Sequence, residues 1–134
     1  MTDQSQTGAT RKFLFVSGIF IIAVGLFYGA PKAVIESSFG ITIDGNSLHI
    51  FRAIMGLYCG IGFMVLLGAA NREYSRFSLI LETVFFGGVG IGRLISFALD
   101  GNINTVAVGA AAFELVLFLI CLVALKAPRK ENAA

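Results

Sequence analysis

Four charged side chains interrupt the most apolar stretches of this sequence: Arg52, Glu82, Arg93 and Glu114. A charge at the centre of a membrane-inserting helix costs about 2.5–3.5 kcal/mol on insertion scales, so such residues turn inward, pair, and mark candidate sites. Three kinds of chemistry suit this set. An Arg/Glu pair can set helix register, a polar pocket can hold a lipid headgroup, quinone or small anion, and a lone carboxyl can carry protons.

Helical geometry separates these roles. Glu82 and Arg93 are eleven residues apart, close to three turns, so they share a helix face but lie about 16 Å apart along it. Around a turn at Gly101, Arg93 is eight residues before and Glu114 thirteen after. That offset is about 7–8 Å of rise, which two long side chains can close. Around a loop at Glu73, Arg52 and Arg93 fall at the same level. The spacing therefore predicts a buried polar cluster of Arg52, Arg93 and Glu114, with His49 and Asp100 at its rim. Glu82 stands apart as a candidate protonatable site. Glu82 and Glu114 sit at different depths, so no carboxylate pair forms and no catalytic residue is named. With one histidine and two cysteines that form no CxxC, no metal site is expected. No cofactor is expected beyond a bound lipid or quinone.

The elements that position these residues follow from composition. The chain has 134 residues, 57% hydrophobic and 13% charged. Counting Gly and leaving out Tyr gives about 67% apolar, against about 45–50% in soluble domains with about 25% charged. A disordered chain needs the opposite composition. A net charge of +2 without a long basic run excludes a nucleic-acid footprint. An all-α membrane protein is expected, with four transmembrane helices over about 13–30, 48–70, 77–99 and 103–125 in an up-down antiparallel bundle. A signal peptide over the first stretch is disfavoured, because signal h-regions run about 7–15 residues and this one runs from Phe13 to Ala30. Residues 1–12 and 127–134 read as polar, flexible tails.

Residues 31–49 are too polar to span. They read as a short amphipathic or partly extended cap on the membrane surface, after which Asn46 or Ser47 would cap the second span. Arg11, Lys12, Arg72, Arg76, Lys126, Arg129 and Lys130 fall on one side of the membrane, and Lys32 and Arg52 on the other. The positive-inside rule then places both termini in the cytoplasm of a bacterial inner membrane and the cap outside. Gly-x-x-x-Gly pairs at Gly25/Gly29, Gly56/Gly60 and Gly88/Gly92 are candidate helix-packing faces, and they suggest tight intramolecular packing more than a dimer motif. Tyr28 and Tyr74 read as interfacial anchors.

Two stretches carry a family resemblance. One is HIFRAIMGLY from His49 to Tyr58, continuing through Gly62. The other is ETVFFGG from Glu82 to Gly88, leading to Gly92-Arg93, Ser96 and Asp100-Gly101. With four spans at this spacing, they resemble the bacterial family catalogued as domain of unknown function 4345, over about Phe13 to Lys126. By that resemblance Arg52, Gly56, Glu82, Arg93, Ser96, Gly101 and Glu114 fall on positions of the family's pattern, and no activity carries over. The layout is also similar to DoxX-like four-helix membrane proteins, some of them linked to redox or quinone chemistry. The expectation is a non-catalytic accessory or lipid- or quinone-binding component of the membrane. Its partners would be membrane lipids, other membrane subunits or a second copy of itself. A small proton-coupled transporter using Glu82 and Glu114, or a lipid-modifying membrane enzyme, is the alternative. Against the carrier, no pair of half-helices breaks at mid-membrane.

Overall fold

A computed structural model describes residues 2–101 and 105–126, and every regular element among them is a helix. In chain order these are α1 (Thr2–Tyr28), α2 (Lys32–Phe39), α3 (Ser47–Ala70), α4 (Arg72–Asp100) and α5 (Thr105–Lys126). All but α2 are long and apolar enough to cross a membrane, over Gly8–Tyr28, Ser47–Ala70, Arg72–Asp100 and Ala107–Lys126. The protein is a multi-pass, all-α membrane protein. The tail at 127–134 lies outside the described residues, and α1 begins well before the apolar run at Phe13.

The connections explain the helix boundaries. Asn71 closes α3 by donating its backbone N–H to Leu67 O at 2.8 Å. It opens α4 by accepting from the Glu73 backbone N–H at 3.0 Å through its side chain. This single extended residue satisfies both helix ends and reverses the chain. At the other end of α4, Gly101 adopts φ 65°, a left-handed turn that carries no Cβ penalty in glycine. Arg11 donates from Nε to Ala69 O at 2.7 Å, where its charge complements the carbonyl end of α3.

The expected cap is a folded unit. Pro31 leads into α2 and Gly40 ends it at φ 64°. Residues 41–46 then return to α3 without regular structure. Glu36 holds this return: its Oε1 accepts from the Ile43 backbone N–H at 2.7 Å and pairs with Lys32 at 3.6 Å. Ile35 and Ile43 are buried beneath it. The entry to α3 is capped by neither Asn46 nor Ser47 side chain. Asp44 Oδ1 accepts the Ser47 backbone N–H at 2.7 Å. Asn46 is already helical, so its side chain is poorly placed to reach the first free donors.

The helices pack in chain order, α1 on α3, α3 on α4 and α4 on α5. The α1/α3 seam is the closest. A Cβ added at Gly18 would stand 3.1 Å from Gly62 O, and one at Gly62 would stand 2.9 Å from Gly18 O. Backbone approach of this kind requires residues without side chains. Ser75 and Ser78 of α4 donate to Gly68 O at 2.6 Å and Met64 O at 2.8 Å on α3. Phe118 and Leu115 of α5 lie over Gly87 and Gly90 of α4. Leu14, Ile21, Val65, Leu79, Phe86 and Cys121 form the core. The first and last spans do not close against each other as the inner seams do, and this open seam creates the site.

A cavity between the first and last spans

Arg93 and Glu114 meet across the α4/α5 seam. The Arg93 Nε–H donates to Glu114 Oε2 at 2.7 Å, and the two side chains are 28% and 13% exposed. The pair lines a cavity of about 380 Å³, within the size range of small-molecule pockets, about 300–1,000 Å³. Its walls are otherwise apolar or aromatic. Tyr28, Phe39 and Tyr58 surround the end nearest α2. Phe20 of α1 and Phe113 of α5 stand on the membrane side, and Ile21 and Phe86 line it from the core.

The rings form a connected wall. Tyr28 stacks on Phe39 with centroids 6.1 Å apart and meets Tyr58 at 5.3 Å. Tyr58 meets Phe85 edge-on at 4.8 Å. Phe20 and Phe113 meet edge-on at 5.1 Å across the open α1/α5 seam. The Tyr28 phenol also stands beside the Arg93 guanidinium. These contacts have the centroid separations and tilts that favour aromatic pairs. Among the described residues, charged side chains enter the lining only at the Arg93–Glu114 pair.

The other three members of the expected cluster are not among the described residues that line the cavity. Arg52 and His49 are exposed on α3, and Asp100 is exposed at the end of α4, where it accepts from Ser96 Oγ. Helix rotation decides the surroundings of Arg52. The seam of α3 against α1 runs through Met55, Tyr58, Gly62, Val65 and Ala69. Arg52 lies about 100° around the helix from it.

The glycine pairs divide in the same way. Gly25 and Gly29 lie against Tyr58 and Met55 of α3, while added Cβ atoms at Gly56, Gly60, Gly88 and Gly92 would meet open space. Gly18 and Gly62, which belong to no Gly-x-x-x-Gly pair, make the closest backbone approach. Tyr28 and Tyr58 were also missing from the expected site. Their available signal was the seven-residue rhythm of Phe51, Tyr58, Val65 on α3, which puts Tyr58 on the packed face.

Glu82 occupies a separate place, one turn below Phe86 on α4. It is fully buried. Its Oε2 accepts from the Cys121 thiol at 3.8 Å, Ser17 of α1 faces the same carboxyl, and Oε1 has no hydrogen-bond partner. Among the described residues no group of His, Cys, Asp or Glu has the arrangement to hold a metal ion.

Fold and site together define a four-span membrane protein with an aromatic cavity anchored by one ion pair. Residues 9–125 match the family described as domain of unknown function (DUF4345), and the chain belongs to that family. No curated protein matches the chain, and no solved structure does.

Proposed function

We propose that this protein is a non-catalytic binding component of the membrane that holds a lipid or quinone in the cavity between α1 and α5. One observation carries the reading. The Arg93–Glu114 pair stands in the wall of an otherwise apolar and aromatic cavity of about 380 Å³, rather than in a filled core. Ligand sites combine an apolar lining with a few convergent polar groups in this way. A pair kept only for helix register would gain nothing from an adjoining void, since voids forfeit packing energy.

In this reading the ligand's polar head meets Arg93 and Glu114, and its tail leaves through the open α1/α5 seam. The protein sits in a bacterial inner membrane with both termini cytoplasmic, as the lysine and arginine distribution favours. The cavity's polar end and the α2 cap then belong to the outer leaflet. Its partners are membrane lipids.

Native mass spectrometry of the full chain, released gently from its own membrane, tests this. A retained small amphiphile is expected, and it should be lost from Arg93→Ala while the helical circular dichroism persists. A wild-type protein free of any bound amphiphile, across several detergents, would overturn the reading.

A further inference from the structure

We infer that the cavity selects an uncharged amphiphile with a planar head over an anionic lipid or fatty acid. This rests on the binding role proposed above and names the ligand class.

The first argument is charge. Arg93 alone would invite a carboxylate or phosphate. Here its Nε–H is already committed to Glu114 Oε2 at 2.7 Å, and both groups line the same cavity. The site is therefore neutral as a whole. An anion reaching Arg93 must displace Glu114 or sit beside a like charge, and a cation reaching Glu114 meets Arg93. In a low-dielectric wall either conflict is costly. An uncharged head meets neither. It can accept a hydrogen bond from the remaining N–H groups of the guanidinium, which carries five donors. It can also donate to the second oxygen of Glu114.

The second argument is shape. Eight of the fourteen described lining residues carry aromatic rings. At the polar end Tyr28, Phe39 and Tyr58 present them in mutual contact. Such a wall favours a flat, polarisable group that can stack or meet ring edges over a saturated acyl chain. A head that carries carbonyl or hydroxyl groups on a ring satisfies the rings and the ion pair together. The third argument is access. Phe20 and Phe113 line the cavity and are also 40% and 46% exposed on the membrane side. They bridge the seam by an edge-on ring contact. A tail can reach the bilayer where these two rings part.

Four probes test the inference on delipidated full-length protein by native mass spectrometry. Decylubiquinone is uncharged with a planar head, dioleoylglycerol is uncharged without a ring, and oleate and phosphatidylglycerol are anionic. The expected order is decylubiquinone first, then dioleoylglycerol, with each anion at least about tenfold weaker than decylubiquinone. Glu114→Gln, which can still accept from Arg93, should relax the selectivity: oleate binding rises about tenfold, while decylubiquinone, whose head only accepts hydrogen bonds, binds as well as before. Wild type preferring either anion or dioleoylglycerol to decylubiquinone, or Glu114→Gln leaving oleate as weak as in wild type, overturns the inference while the binding role stands. If no probe binds and the protein leaves its own membrane empty, the binding role fails and the inference with it. If no probe binds but a native amphiphile is retained, its identity decides: an anion overturns the inference and an uncharged ring-bearing molecule supports it.

Discussion

The Arg93 guanidinium and the Glu114 carboxylate are 21 residues apart in the chain and 2.7 Å apart across the α4/α5 seam. They are joined at the edge of a void rather than in packed core. Removing one member leaves the other as a partly buried charge without its partner. Arg93→Ala should therefore lower stability in detergent by about 1.5–3 kcal/mol, the usual worth of a charged hydrogen bond. The double change Arg93→Met/Glu114→Leu should recover most of it, because apolar residues of similar volume replace a buried pair at little cost. Thermal unfolding followed by circular dichroism measures both. A double variant no more stable than the single would show that the pair does not act as a unit.

Glu82 is fully buried, and its Oε1 has no hydrogen-bond partner. An unmade hydrogen bond in such a place costs about 1–3 kcal/mol. Glu82→Leu should accordingly raise the unfolding temperature. An unchanged or lowered temperature would mean that the Cys121 and Ser17 contacts already compensate the carboxyl.

Gly18 and Gly62 let α1 and α3 approach backbone to backbone. Gly62→Leu should force these helices apart and destabilise the bundle by about 1–3 kcal/mol, as overpacking generally does. Gly56→Ala and Gly60→Ala meet open space and should leave the monomer's unfolding temperature unchanged or slightly raised, because alanine is the better helix former. Comparing the three variants by thermal unfolding checks the register of α1 against α3.

Asp44 caps the entry to α3 from outside the membrane-spanning segments. Its hydrogen bonds from Ser47 hold its carboxyl below the ordinary aspartate range. A lowered folded-state value stabilises above the unfolded-state value, and that stability is lost as pH falls through the folded one. Protection of the Ser47 amide, its exchange rate relative to the intrinsic rate at the same pH, should therefore fall on acidification below the ordinary aspartate range. Asp44→Ala should show low protection there at every pH.

Much of this architecture follows from the sequence alone. A bilayer admits only segments of about 20 apolar residues whose backbone groups bond internally, so hydropathy places the four spans. Short polar connections make neighbours antiparallel, and turn arithmetic then brings Arg93 to Glu114, since rise per residue is a constant of the helix. Depth is legible in this way, but rotation about each helix axis is not. Arg52 ends exposed and outside the described cavity lining, because the Gly18/Gly62 contact and the Tyr58 seam turn α3 toward α1. The same rotation buries Gly25 against Tyr58 and leaves Gly56 open. The cavity is further still from the sequence, because it exists where α1 and α5 fail to close. Its wall combines side chains from all five helices, which no single segment's periodicity encodes. Composition and spacing determined that a charged pair would stand inside a four-span bundle. Only the packing of those spans decided that the pair would border a void, and packing is settled by which helix faces can approach most closely.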